Sequence, residues 1–356
     1  MLNYIRGFNG LRAVSILFVL LTHLGFYETL LWQGFYHSSL DILFSGNTGV
    51  QLFFTLSGFL ISLILLKEYK AKNGIHLKNF YIRRFLRLLP ALCILLIIVS
   101  VFMWLKLIPR SIVGLIMSAT YTYNFIPIKL YTGELGHTWS LAVEEQFYFL
   151  LPLALLLFTS TKKRIYLIAA TLLLCIAASY IWLNFSVTRH GVSYELAGLY
   201  MVERWLVPAI APIMVGALAA IVVLEFSNYC KRKLEKQKWP LLFFLFFYTL
   251  PLILPDVFLP VKPFVQSLGF AVLLIWIFFN QQSVLCNFLE IKWLNYLGKI
   301  SYGIYIYQGF FLRTGPEDSE IMAQLFPYNI LLTFFAAIVS FELIEKPVLK
   351  LKSKFL

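Results

Sequence analysis

Residues 11–32 read LRAVSILFVLLTHLGFYETLLW. The run is long enough for a membrane helix, yet it carries Arg12 at its start and His23 well inside it. Eleven residues separate the two, and eleven steps of about 100° fall within roughly 20° of three whole turns. Both side chains therefore leave one face, about 16 Å apart along the axis. An ionisable group inside a bilayer is costly unless it faces a protein interior or a wet cavity, so this stripe marks a functional site.

The rest of the chain is of the same kind. Over 356 residues it is 60% hydrophobic and 13% charged, with a mean hydropathy of +0.80, which excludes a soluble globular domain. Continuous apolar runs of about twenty residues point to an all-α, polytopic membrane protein, where barrel strands would be half that length and alternate. The net charge of +13 suggests no nucleic-acid partner, because the basic residues gather between apolar runs, the pattern that fixes topology. The first run lacks a small-residue cleavage site, so it is read as part of the mature protein. Cys93, Cys175, Cys230 and Cys286 show no paired spacing and read as packing or free thiols.

Ten runs can be marked: residues 11–32, 49–66, 88–107, 139–158, 165–185, 205–226, 239–259, 264–280, 300–312 and 327–344. Between the second and third lie Lys67, Lys70, Lys72, Lys78, Arg83, Arg84 and Arg87. Further basic clusters at Lys162 to Arg164, at Lys231 to Lys238 and at Lys350 to Lys354 fall on the same side. The positive-inside rule then puts both termini in the cytoplasm. Residues 111–128, broken by Gly114 and by the polar Thr120 to Asn124, read as a re-entrant or cavity-lining segment. A polar stretch from Ser186 to Glu203 faces outward, and its length alone recommends it as a segment that could meet a substrate. No linker or composition shift marks a second domain, so residues 1–356 are read as one unit without a fused extracytoplasmic domain.

Six segments carry a resemblance. They are Phe8-Asn-Gly-Leu-Arg-Ala with His23 downstream; residues 49–61, GVQLFFTLSGFLI; residues 80–87, FYIRRFLR; residues 137–148, HTWSLAVEEQFY; residues 297–302, LGKISY; and the terminal Glu345-Lys-Pro. In this order, from residue 8 to residue 347, they resemble the acyltransferase-3 family of integral membrane acyltransferases. The resemblance implies about ten transmembrane helices and transfer of an acyl group, most often acetyl, from cytoplasmic acyl-CoA. The acceptor it implies is a hydroxyl of a cell-surface glycan or its lipid-linked precursor, at a bacterial inner membrane. With no fused domain, the chain would acylate that acceptor directly or hand the group to a separate protein. Asn9 and Gln51 stand where the family usually has aspartate, and Gln308 where many members have histidine. Each keeps hydrogen bonding and loses titration, which shifts weight to His23 and His137.

His23 suits a general base that takes the proton of an attacking hydroxyl, or a nucleophile that carries the acyl group itself. Arg84 and Arg87, three apart, share a helix face, and their guanidinium forks suit the phosphates of CoA; equally, they read as topology anchors. Arg12 could help hold that cofactor. His137, Ser140, Glu144 and Tyr148 recur at helical spacing, with Glu145 beside them. A Ser-His-Glu nucleophile there lacks the elbow motif, so Glu144 or Glu145 is read instead as orienting a histidine or holding Arg12. Tyr302, Tyr305 and Tyr307 could line a tunnel, and Ser57-Gly58 reads as a close helix contact. No two histidines have ligand spacing on one element, so no metal is implied. The rival readings are a transporter or flippase for a lipid-linked glycan, which paired broken helices would favour, and a membrane scaffold.

Overall fold

The computed structural model describes residues 4–24, 43–187, 201–312 and 321–351. The far part of the first apolar run, most of the polar 186–203 stretch, and Lys352 and Lys354 lie outside the described residues. Every regular element among the described residues is a helix. The long ones are α1 (Phe8–His23), α2 (Gly46–Lys72), α3 (Leu77–Trp104), α4 (Ile112–Ala119), α5 (Thr138–Leu157), α6 (Thr161–Val187), α7 (Ala211–Glu225), α8 (Ser227–Leu234), α9 (Trp239–Thr249), α10 (Lys262–Phe279), α11 (Lys292–Phe311) and α12 (Tyr328–Ser340).

Length and apolarity qualify six stretches among the described residues as membrane spans: Gly46–Lys72, Leu77–Trp104, Gly133–Leu157, Thr161–Trp182, Val257–Phe279 and Tyr328–Leu351. A seventh is added if α7 and α8, bent by 94° at their junction, count as one. This is fewer than the ten expected, because several apolar runs form helices that are short or interrupted. α1 has 16 residues, and α11, though 20 long, carries polar groups along one face. Nor does His23 sit in mid-helix. It is the last residue of α1, and the Leu24 amide closes the final turn on the Leu20 carbonyl at 2.9 Å. Gly25 follows in sequence, the residue type that ends helices, and an apolar run does not reveal such a stop. α4, eight residues long and so about 12 Å, is too short to cross a bilayer, as its polar interruptions suggest.

α2 is the hub. Within its most apolar window 67% of residues are buried in protein, against 17% for α6, so α2 stands inside the bundle and α6 at its edge. Ser45 caps α2, its Oγ accepting from the Thr48 amide at 3.3 Å, and Asn73 ends it in the left-handed region at φ 50°. α2 packs on α1, α5, α7 and α10. The α2–α7 crossing is a close fit: a Cβ on Gly58 would overlap the Ile213 carbonyl, and one on Gly216 would overlap the Thr55 carbonyl. Two glycines opposite each other let the backbones touch, as the Ser57-Gly58 reading anticipates.

α1 links two apolar cores. Phe8, Leu11 and Ala13 pack into one with α2, α7 and α10. Ile16, Val19 and Leu20 pack into the other with α3 and α11. Its Arg12 stripe is thereby fixed against α2 and α11.

Gly216→Ala should cost about 1–3 kcal/mol through overpacking, read as a lower melting temperature in detergent. Gly303→Ala is the matched control. Its Cβ would meet Ala337 at an ordinary 3.4 Å, so it should melt at or above the wild-type temperature.

Candidate active site

Five helices enclose a cavity of about 860 Å³, counting its open mouth. α1 supplies Arg12, α3 Arg84 and Arg87, α5 Ser140, Glu144 and Tyr148, and α11 Ser301, Tyr302 and Tyr305; α2 closes it with an apolar wall from Val50 to Ile64. Helical spacing explains the selection. Ser140, Glu144 and Tyr148 follow at every fourth residue, and Arg84 and Arg87 are one turn apart. Arg83 faces elsewhere and pairs with Glu68 at 3.8 Å.

The cavity is electropositive. Arg12 and Arg87 lie within electrostatic reach of Arg84 and of Glu144, the one carboxylate among the described lining residues. From outside the lining, Glu145 reaches Arg84 and Arg87, and Glu345 reaches Arg87. Arg84 rests over the Tyr148 ring, 4.0 Å from its centroid, and the Tyr148 hydroxyl donates to Glu144. Stacking fixes the guanidinium while leaving its in-plane donors unconsumed by the ring. Tyr302 is tied to α3 by donating to the Leu88 carbonyl at 2.9 Å.

Arg12 is held by a chain of amides. Its Nη1 donates to Asn9 Oδ1 at 3.3 Å, and Asn9 Nδ2 donates to the Tyr4 hydroxyl at 3.3 Å. Tyr4 donates to Glu290 at 2.8 Å, and Asn295 Nδ2 donates both to Tyr4 at 2.6 Å and to Glu290 at 2.8 Å. The Gly7 amide also donates to Glu290, at 2.6 Å, so one carboxylate anchors the entry to α1. Glu290 lies some 280 residues from Tyr4 in sequence, and nothing local to either position signals the contact.

The two histidines are elsewhere. Neither lines the arginine cavity; they lie within electrostatic reach of each other beyond it. His137 is buried at the start of α5 and packs edge-on to Tyr305 at 5.7 Å. Gly309 admits it, since a Cβ there would overlap the imidazole. Neither ring nitrogen of His137 makes a well-formed hydrogen bond, and the same holds for both amide atoms of fully buried Gln308. Cavity and histidine are connected through Tyr305 and Ser140. The two hydroxyls are 2.5 Å apart, and both donate to the His137 carbonyl, at 3.1 and 3.3 Å. Ser140 is thus engaged by a tyrosine and a backbone carbonyl, which is not the Ser-His-Glu arrangement.

The residues singled out in sequence therefore fall into two groups, Arg12, Arg84, Arg87 and Glu144 in the cavity and His23 with His137 at the far end of α1. Glu145, next to the stripe, lines a lateral groove with Tyr121 and Gln146 that shares Arg84 and Tyr148 with the cavity. Tyr302 and Tyr305 reach the cavity, whereas Tyr307 is buried away from it.

The model of a family described as an acyltransferase domain matches residues 5–343. The chain belongs to the acyltransferase-3 family. Peptidoglycan O-acetyltransferase OatA of Listeria monocytogenes is 27% identical over 376 aligned positions, which cover 98% of this chain and 56% of that protein. O-acetyltransferase OatA of Staphylococcus aureus is 26% identical, covering 98% of this chain and 57% of that protein. A putative O-acetyltransferase of S. aureus is 34% identical over 183 residues, 46% of this chain and 27% of that protein. The chain thus spans about half the length, or less, of these curated relatives. No solved structure matches it.

Asn9→Ala should cost about 1.5–3 kcal/mol in thermal unfolding, the usual worth of a hydrogen bond to a charged group. Asn9→Asp, which keeps the acceptor and adds an opposite charge beside Arg12, should not.

Proposed function

We propose that the protein is a membrane O-acyltransferase that moves an acyl group, acetyl in the simplest case, from acyl-CoA to a hydroxyl of a cell-surface glycan or its lipid-linked precursor. The observation that carries this reading is the cavity in which Arg12, Arg84 and Arg87 converge, with His23 at the opposite end of the helix that bears Arg12 and His137 within reach of it. Relatives bearing the name O-acetyltransferase support it.

In this reading the protein crosses the bacterial inner membrane ten times, with both termini in the cytoplasm. The six qualifying spans are joined by α1, α7, α9 with its short extension, and α11, which together account for all ten apolar runs. The basic loops then face the cytoplasm, where acyl-CoA is made. The arginines hold the phosphates, and Arg84 is steadied by Tyr148 and Glu144. The pantetheine arm carries the thioester along α1 towards His23, about 16 Å from Arg12 by helical rise.

His23 takes the proton of the acceptor hydroxyl as its oxygen adds to the thioester carbonyl. The tetrahedral species collapses to the ester and expels the CoA thiolate, which takes up the proton. His137, buried within reach of His23, is the second imidazole of the site. An acyl-histidine intermediate would divide the same transfer into two steps.

Arg84→Ala and Arg87→Ala should each weaken acetyl-CoA binding about tenfold or more, the worth of a charge-assisted hydrogen bond, with partial rescue by lysine. His23→Gln should bind acetyl-CoA normally and transfer at about 10⁻² to 10⁻⁴ of the wild-type rate. Calorimetric binding and turnover on the same preparations check both. Unchanged affinity in the arginine variants would make them topology anchors, and transfer above about a tenth by His23→Gln would make His23 structural.

A further inference from the structure

A second cavity, of about 1630 Å³ counting open space, lies against the first. It is built from the start of α2, the start of α7, the approach to α10 and the far part of α6, with Trp139 from α5. For α2 and α6 that end is opposite the basic one: α2 finishes at Lys70 and Lys72, and α6 begins at Lys162 to Arg164. α7 runs from it towards the basic α8, whereas α10 carries Lys262 at its cavity end. This cavity therefore opens on the face away from the basic loops, while the arginine cavity lies towards them. Val50 and Phe54 line both, and Trp139 lines the outer one while its neighbour Ser140 lines the inner one. The partition is one side-chain layer, with Phe54 edge-on to Trp139 at 6.3 Å.

The lining of the outer cavity has the chemistry of a sugar site. Trp139 and Trp182 supply broad apolar faces, suited to the C–H faces of a pyranose. Arg204 is fixed 5.4 Å from the ring centroids of both Trp139 and Tyr131, and Glu203 stands beside it. Gln51 Oε1 is buried and has no hydrogen-bond partner. A buried acceptor of this kind is costly unless a donor reaches it, and a sugar hydroxyl is such a donor. The His23 end of α1 adjoins this region, since Thr22 Oγ1 accepts from the Gly46 amide at 2.6 Å, one residue before cavity-lining Asn47.

We propose that the outer cavity is the acceptor site, taking a pyranose of the glycan against Trp139 and Trp182 with a hydroxyl donating to Gln51, across the Val50 and Phe54 partition from the acyl donor. The assignment rests on the O-acyltransferase reading and adds to it where the glycan binds and which residues recognise it. Glu203, the described end of the outward polar stretch, becomes part of that recognition.

The test uses full-length protein in lipid nanodiscs, radiolabelled acetyl-CoA, and envelope saccharides with their lipid-linked precursors extracted from a strain lacking the protein. Gln51→Leu and Trp182→Ala should raise the half-saturating saccharide concentration at least about tenfold, with acetyl-CoA affinity unchanged within about twofold. Gln51→Glu, which keeps an acceptor oxygen, should fall between Gln51→Leu and wild type, and acetyl-CoA binding by each variant verifies that it is folded. Unchanged saccharide dependence in both variants overturns the assignment, as does a parallel loss of acetyl-CoA affinity. Absence of any transfer by the wild-type protein defeats the O-acyltransferase reading itself, and the acceptor site falls with it.

Discussion

Three guanidinium groups half-buried among apolar helices repel one another, and the arrangement of this protein follows from how that repulsion is managed. Two of the arginines are held by different devices, Arg12 by the Asn9 amide and Arg84 by the face of Tyr148, and Arg12 and Arg87 lie within electrostatic reach of Glu144. One carboxylate, Glu144, lines the cavity beside three cations, while from outside it Glu145 reaches Arg84 and Arg87 and Glu345 reaches Arg87. A lining of three guanidinium forks suits an oxygen-rich anion, which is what the proposed acyl-CoA would bring.

The hub helix α2 turns this local arrangement into an architecture. Its glycine contact with α7 brings the two backbones together, and its Val50 and Phe54 separate two cavities that open towards opposite faces. A transferase whose donor and acceptor meet from opposite faces needs such a thin partition, whereas a transporter needs a path that opens through it. In the described structure that partition is closed by packed side chains.

Much of this was legible from residue spacing. Arg84 with Arg87, and Ser140 with Glu144 and Tyr148, do share faces and do meet in one cavity, because helical periodicity survives whatever the tertiary context. The end of α1 was obscured by the apolar residues that continue past His23, although Gly25 just after it is a helix-ending residue type. The Tyr4, Asn9, Asn295 and Glu290 network joins chain ends nearly 290 residues apart, and the outer cavity is assembled from the tips of several helices, neither of which leaves a local pattern. Glu145 illustrates the limit of resolution along a helix. One step of about 100° from Glu144 sends it to another groove.

The account stands on one claim, that this basic cavity delivers an acyl group across the partition to a hydroxyl. The most direct measurement reconstitutes the purified protein in vesicles with radiolabelled acetyl-CoA on the face bearing the basic loops and deacetylated envelope saccharide on the other. Alkali-labile label on the saccharide, dependent on that sidedness, is the predicted result. Acetyl-CoA that binds without yielding labelled saccharide in either orientation would contradict it.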